Sequence, residues 1–155
     1  MPLTSDLFAL PPLDEIVNVI VRLVLAATLA GILGMERESQ GKAAGLRTHM
    51  LVALGAALFV LVVSPLGQAG EVSRVIQGVA AGIGFIGAGS ILKHVESDRV
   101  TGLTTAASIW MTAAIGVTAG IGTIWFSVAA TAIAWVILDI VERFGRHAGT
   151  KREDG

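Results

Sequence analysis

The 155-residue sequence contains no cysteine and few charged residues, and both absences limit what the protein is. Without cysteine it has neither disulfides nor thiolate metal sites. Charged residues make up 15% of the chain, against about 25% in soluble domains. They are almost absent from several stretches of about 17 residues or more, which is long enough for a helix to cross a bilayer. The composition therefore predicts a polytopic α-helical membrane protein.

Five apolar segments are predicted to span the membrane, over residues 16–35, 48–66, 75–92, 103–119 and 121–141. The last two spans join through the glycine-rich stretch Gly116–Gly122, which leaves room only for a tight turn. The predicted fold class is all-α, with a five-helix membrane domain over residues 16–143. Residues 1–15 are predicted to form an outer-face segment, and residues 144–155 a disordered cytoplasmic tail.

Lysine and arginine accumulate on one predicted side of the membrane. That side carries Arg37, Lys42, Arg47, Lys93, Arg99, Arg143, Arg146, Lys151 and Arg152. The opposite side has Arg74, while Arg22 lies inside the first span and is interpreted as snorkelling toward the outer face or as pairing within the membrane. Cytoplasmic loops carry an excess of such residues. We therefore expect a bacterial inner-membrane protein with its N-terminus outside and its C-terminus in the cytoplasm.

Two short signatures look like copies of each other. Gly31-Ile-Leu-Gly34 is followed by a polar loop and Gly45-Leu-Arg-Thr48, and Gly84-Phe-Ile-Gly87 by a longer polar loop and Gly102-Leu-Thr-Thr105. Parallel repeats of helix hairpins are common in transporters. Small residues also coincide often by chance in membrane helices. A parallel repeat of helices 1–2 and 3–4 and a chance match are therefore both open.

The glycines of the third span allow several interpretations. Gly82-Ile-Gly84-Phe-Ile-Gly87 matches G-x-G-x-x-G, but a dinucleotide site needs a soluble strand–turn–helix context. Packing of small residues is favoured, because Gly78 and Gly82 form a GxxxG pair, and a locally unwound helix is the alternative. The predicted packing or unwound set is Gly31, Gly34, Gly45, Gly78, Gly82, Gly84, Gly87, Gly89 and Gly102.

Polar residues at the predicted cytoplasmic helix ends are candidates for a binding site. Free N–H groups at helix N-termini attract anions, and Arg47 would reinforce this attraction. Glu36 could pair with Arg47 or help to hold a cation, although interfacial charges also simply set topology. Trp110 is expected inside the fourth span as core packing or as a ligand contact. The candidate cluster comprises Glu36, Arg37, Arg47, Thr48, His49, Thr104, Thr105 and Trp110.

Other absences exclude further classes of function. The sequence has no P-loop, so the chain cannot itself be an ATP-driven pump. Spans two to four have no charged residue within their apolar core, and Mg²⁺ gives up its water reluctantly and prefers carboxylates. The sequence shows no combination of a nucleophile, a general base and a residue that orients the base, so an enzyme is not expected. No cofactor and no nucleic-acid partner are predicted, and no metal site is assigned.

Four segments resemble the MgtC/SapB family of bacterial inner-membrane proteins. They are Gly34-Met-Glu-Arg-Glu38, Ala44-Gly-Leu-Arg-Thr-His49, Gly82-Ile-Gly-Phe-Ile-Gly-Ala-Gly89 and Gly102-Leu-Thr-Thr-Ala-Ala-Ser-Ile-Trp110. The resemblance implies five spans and a link to magnesium limitation. It also implies action on other membrane proteins, including the F-type ATP synthase, rather than carriage of Mg²⁺. Longer members have a soluble C-terminal domain, so this chain is expected to correspond to the membrane domain alone, as in SapB-type members.

Two hypotheses follow. The first is a regulatory protein that binds another membrane protein, or forms homo-oligomers, through glycine-rich helix faces in the lipid bilayer, and that senses an ion or an anionic ligand through its polar cluster. The second is a small transporter or channel built from two hairpins. The lack of charge within the membrane favours the first, or a transporter of a weakly charged solute.

Overall fold

The computed structural model describes residues 10–64, 69–94 and 99–141 as a bundle of five helices. They are α1 (Leu13–Ser39), α2 (Leu46–Val63), α3 (Ala69–Gly89), α4 (Leu103–Ile121) and α5 (Ile124–Val136). A π-helical turn, Ile137–Val141, continues α5. In this part of the chain four helices are long and apolar enough to cross a membrane, and a fifth apolar helix, Ile124–Ile140, is shorter. The predicted all-α multi-pass fold is confirmed, while the predicted N-terminal segment and tail lie largely outside the described residues.

The loop between α3 and α4 differs from the polar loop that the sequence predicts. The third helix ends at Gly89, and the antiparallel strands β1 (Leu92–His94) and β2 (Arg99–Thr101) follow it. Gly102 then begins α4 with φ +89°, and a Cβ there would lie 1.9 Å from the carbonyl oxygen of Ser90. Only glycine fits this position, because both the left-handed backbone and the close approach exclude a side chain.

The fourth helix lies at the centre of the bundle. It packs against each of the other four helices, and 56% of its membrane-length window is buried, against 11% for α3. Its closest contact is with α2, where a Cβ at Gly116 would lie 2.3 Å from the Ala53 carbonyl oxygen and one at Gly120 would lie 2.7 Å from that of Ala57. A tight turn does join the last two helices, but it comes two residues later than the predicted end of the fourth span at Ala119: α4 continues to Ile121, and the chain turns at Gly122.

The two hairpins α1–α2 and α3–α4 share a local geometry. A Cβ at Gly34, near the end of α1, would lie 2.7 Å from Cα of Leu46, at the start of α2. A Cβ at Gly87, near the end of α3, would lie 3.6 Å from Cβ of Ala106, in the first turn of α4. Both hairpins thus have a glycine in the last turns of the first helix beside the start of the next, but the approach excludes a side chain at Gly34 and leaves room for a Cβ at Gly87.

Arg22 connects α1 with the end of α4, and it does not simply snorkel to the outer face. Its Nη1 donates to the carbonyl oxygen of Gly120 at 3.0 Å, and its guanidinium lies against Gly122. The last carbonyls of a helix lack intrahelical donors and carry partial negative charge, so a guanidinium stabilises this end. The alternative interpretation was a pairing of Arg22 within the membrane. The partner that the structure shows is a backbone carbonyl, that of Gly120.

Candidate functional site

One end of the bundle collects most of the buried polar side chains that lie between helices. Here α1 ends, α2 and α4 begin, and the π turn follows α5; we call it the polar end. Its helix starts, Gly45 and Gly102, are the matched glycines of the two signatures, and neither helix has a side-chain cap from its own N-cap residue.

His49 is fully buried and links α2 to α4. Its Nδ1 donates to the carbonyl oxygen of Gly45 at 2.9 Å, and its Nε2 lies 3.2 Å from Oγ of Ser108. The Ser108 hydroxyl also lies 2.8 Å from the carbonyl oxygen of Thr105, which is buried as well, so its single proton serves one of these two acceptors at a time. Both imidazole nitrogens thus have partners, as a buried polar group requires. The candidate residues His49 and Thr105 belong to one network between the two hairpins.

Arg37 is fully buried and links α1 to the π turn. Its Nη2 donates to the side-chain oxygen of Gln40 at 2.8 Å and to the carbonyl oxygen of Leu138 at 3.2 Å. Asp139, the next residue, is buried as well. Burying a charged group costs free energy unless the group is hydrogen-bonded or paired, so these hydrogen bonds are needed to keep the Arg37 guanidinium inside the bundle.

Two carboxylates complete the polar end from α1. Glu36 accepts a hydrogen bond from the side-chain amide of Gln40 and lies 3.9 Å from Nη2 of Arg37. Its polar partners among the described residues are thus Gln40 and Arg37, and the suggested pairing with Arg47 is not found there. Glu38 accepts from the backbone N–H of Leu46 at 2.8 Å, so a carboxylate caps the start of α2.

The remaining candidates lie nearer the surface. Arg47 and Thr104 are exposed in the first turns of α2 and α4, and Thr48 is half-buried. Trp110 is 52% exposed, so its predicted burial inside the fourth span is wrong. The exposed arginine and the exposed hydroxyl stand at two helix N-termini on the same end of the bundle, where free N–H groups favour a negative ligand.

The predicted glycine set divides into two groups. Gly31, Gly34 and Gly87 contact the following helix, Gly45 faces Glu38, and Gly102 faces Ser90. A Cβ added at Gly78, Gly82, Gly84 or Gly89 would have no heavy atom within 4 Å, other than those of the adjacent residues and of the backbone of its own helix. Because α3 is a continuous helix from Ala69 to Gly89, the unwound alternative does not describe it. Its glycines form an open face.

An apolar groove lies between α2 and α3. It has a volume of about 660 Å³, and Gly55, Phe59, Gly78, Gly82 and Ile83 are among the residues that line it. Glycine keeps the groove wide because it contributes no side chain. Its lining has almost no polar surface, so it suits hydrocarbon and not an ion.

Sequence reasoning missed several residues of this site. Gln40, Ser108 and Asp139 were not in the candidate cluster, although Ser108 lies one turn after Thr105 and could have been found by helical spacing. The described residues contain no group of three or more His, Cys, Asp or Glu side chains that could hold a metal ion.

The sequence comparisons identify the family. The model of the MgtC family matches residues 23–147. The chain belongs to the MgtC family. The match reaches all five helices and the polar end, and it confirms the family resemblance of the four signature segments.

Three relatives place the chain within the MgtC family. It is 44% identical over 129 residues to YhiD of Escherichia coli strain K12, whose name describes a proposed magnesium transporter, with 78% of this chain and 59% of YhiD covered. It is 46% identical over 115 residues to SrpB of Synechococcus elongatus, with 65% and 62% covered. It is 46% identical over 106 residues to MgtC of Brucella abortus, with 68% and 44% covered. The chain thus spans less than two thirds of each relative, and no solved structure matches it.

Proposed function

We propose that this MgtC-family membrane protein supports adaptation to magnesium limitation by binding and regulating other membrane proteins, and that it does not pump Mg²⁺. Family membership and the name of the YhiD relative support the connection with magnesium. The proposed location is the bacterial inner membrane, with the N-terminus outside and the polar end in the cytoplasm. The protein acts without enzymatic chemistry.

The dense contact between α2 and α4 carries the argument against transport. At Gly116 and Gly120 the two backbones approach so closely that a single added carbon would overlap a carbonyl oxygen. Mg²⁺ requires near-octahedral oxygen coordination and usually keeps several of its waters. A hydrated ion cannot pass between helices packed backbone to backbone, and this interface lies at the centre of the bundle.

The polar end is the proposed sensor. Arg47 and Thr104 present a positive charge and a hydroxyl at two helix N-termini, while Glu36 supplies a partly buried carboxylate in the same end of the bundle. This arrangement suits an ion or a small anionic ligand. The buried links through His49 and Arg37 connect the sensor to α4, α1 and the π turn.

The exposed face of α3 is the proposed contact with a partner in the membrane. Membrane helices associate through small residues that let backbones approach, and Gly84 and Gly89 have open space around them. The partner is another membrane protein, with the F-type ATP synthase as the candidate from the family resemblance, or a second copy of this chain.

A small transporter is the second candidate, and the groove between α2 and α3 is the observation that favours it. A groove of about 660 Å³ lined by apolar side chains accepts a hydrophobic solute better than an ion. The matched hairpins also fit the repeat design of transporters.

Growth at low Mg²⁺ tests the proposal. We expect a deletion strain to grow poorly at low Mg²⁺ while its initial Mg²⁺ uptake stays normal. Glu36→Ala and Arg47→Ala should fail to restore growth although the protein reaches the membrane. Arg74→Ala, which removes an exposed arginine near the start of α3, is the matched control and should restore growth. Normal growth with both Glu36→Ala and Arg47→Ala would show that the polar end is not a sensor.

A further inference from the structure

The apolar groove between α2 and α3 is open on its outer side. Its floor is formed by three buried residues, one from each of α2, α3 and α4: Ala56, Ile83 and Ala113. Leu51 and Phe59 of α2 also line it, but they are 67% and 63% exposed. In a bilayer this opening faces lipid, and an empty groove would forfeit the dispersion contacts of the atoms that line it. The groove therefore needs an occupant.

The dimensions of the groove fit one hydrocarbon chain better than a helix. Along α3 its lining extends from Val75 to Ile86, which corresponds to about 16 Å of helix. One leaflet contributes about 15 Å of hydrocarbon, half the thickness of the bilayer core. A helix is about 10–12 Å across with its side chains, so over this length it would need roughly twice the volume of the groove, which is about 660 Å³. The groove suits the acyl chain of a lipid.

A positive charge stands beyond the polar-end side of the groove. One face of α2 carries, at four-residue spacing, Arg47, Leu51, Gly55 and Phe59. The last three of these residues line the groove, so Arg47 lies one helical turn beyond its lining. Arg47 is exposed, and no ion pair of its guanidinium is found within the described residues. Glu38 already caps the backbone N–H of Leu46, so the guanidinium, and not the helix N-terminus, is the donor available here.

The opposite end of the groove is electrically different. Arg74 directly precedes Val75, the groove residue nearest the start of α3, and it pairs with Glu71 one turn earlier. The charges of this pair cancel. Of the two arginines beside the groove, Arg47 is thus the one that offers an uncompensated positive charge to a negative group.

We propose that the groove binds an anionic phospholipid, with one acyl chain between α2 and α3 and the phosphate at Arg47. An acyl chain gains little by leaving other lipids, because lipid tails are as apolar as the groove. The shape of the groove therefore positions the chain, and the charge of Arg47 selects the headgroup. This inference goes beyond the proposed function and requires neither a response to Mg²⁺ nor a protein partner.

Native mass spectrometry of the purified protein tests the headgroup. The delipidated protein is mixed with equal amounts of phosphatidylglycerol and phosphatidylcholine that carry the same acyl chains. We expect it to retain phosphatidylglycerol in preference. Arg47→Gln should lower this preference about fivefold, the effect of one basic residue beside an anionic membrane surface. Arg74→Gln, which removes the paired arginine at the opposite end, is the matched control and should not lower it.

Two results of this measurement would overturn the proposal. The first is equal retention of the two lipids, or a preference that Arg47→Gln leaves unchanged. The second is loss of the bound lipid in inorganic phosphate but not in chloride of the same ionic strength, which would assign Arg47 to a free anion.

Filling the groove tests the position of the acyl chain. Gly82→Leu adds a side chain to the groove lining at a point where a Cβ has no heavy atom within 4 Å beyond its adjacent residues and its own helix backbone, so the helix should fold as before. It should remove the bound lipid. Ala81→Leu adds the same side chain at the next, exposed position, outside the groove lining, and should retain the lipid.

Retention of the lipid by Gly82→Leu would place it elsewhere on the protein. A dimer that Gly82→Leu disrupts, found in place of bound lipid, would assign the groove to a second copy of the chain. Either result overturns the proposal, and the Arg47→Gln measurement stands even if Gly82→Leu does not fold. Lipid retention is measured without Mg²⁺ and without growth, so its failure leaves the proposed function to its own test.

Discussion

At the scale of single residues, the contact between His49 and Ser108 is the direct hydrogen bond between side chains of the two hairpins at the polar end. The imidazole lies in the first turn of α2 and the hydroxyl in the second turn of α4, and both are buried. Side-chain hydrogen bonds between membrane helices contribute about 0.6 kcal/mol on average, and a buried acceptor left without a partner adds a further cost.

Ser108→Ala is therefore expected to destabilise the protein by about 1 kcal/mol, because it removes the partner of His49 Nε2 with little change of volume. Thermal unfolding in detergent micelles measures the effect. Thr104→Ala, which removes an exposed hydroxyl one turn earlier on the same helix, is the control and should leave the midpoint unchanged. Equal midpoints for the two variants would show that the contact stabilises nothing.

The sequence identified which residues are polar at this end but not which are buried together. Arg37, His49 and Thr105 were predicted as members of one cluster from their positions beside the glycine signatures. The partner of Arg37 is a backbone carbonyl 101 positions away, and no local pattern encodes such a contact.

At the scale of the helices, the glycines of α4 and α3 have opposite surroundings. Those of α4 contact the backbone of α2 inside the bundle, whereas those at positions 78, 82 and 84 of α3 have open space beside them. The same GxxxG pattern occurs in both helices at 116–120 and 78–82. The pattern alone therefore marks close approach but does not tell which helix supplies the neighbour.

Gly116→Ala should destabilise the fold by about 1–3 kcal/mol or more, because the added carbon would lie 2.3 Å from the Ala53 carbonyl oxygen. Gly78→Ala, on the open side of α3, is the matched control and should cost little. Unfolding of both variants in the same detergent gives the comparison. A tolerated Gly116→Ala would mean that α2 and α4 are not packed as described.

Gly84→Leu should leave the isolated protein folded and abolish its association with partners in the membrane. The reason is that an added side chain at Gly84 meets open space within the chain, so a large one harms only contacts with another molecule. Chemical crosslinking in native membranes, beside unfolding in detergent, separates the two effects. Association that survives the substitution would place lipid, and not a partner, on this face.

The helices themselves were largely predictable, because apolar runs of membrane length admit few other structures. The exceptions have physical causes. The two strands are three residues long, too short to show alternation. The turn between α4 and α5 was placed two residues too early, because the contact of Gly120 with α2 inside the bundle is not visible in the sequence.

At the scale of the whole molecule, the proposed orientation assigns the polar end to the cytoplasm. The excess of lysine and arginine in the sequence segments predicted to lie on this side of the membrane supports the proposed orientation. A chain without cysteine suits labelling of single introduced cysteines. A cysteine at position 71 should react with an impermeant reagent from outside, and one at position 97 only after the inner side is exposed. The reverse pattern would place the sensor outside the cell.

The central claim is that the protein responds to magnesium limitation without carrying the ion. Purified protein in liposomes, loaded with a Mg²⁺-sensitive dye, measures this directly. We predict no Mg²⁺ flux above that of protein-free liposomes, with or without a membrane potential, because the close α2–α4 contact closes the centre of the bundle to a hydrated ion. Mg²⁺ flux through the wild-type protein that Glu36→Ala and Arg47→Ala abolish would contradict the account and establish a transporter.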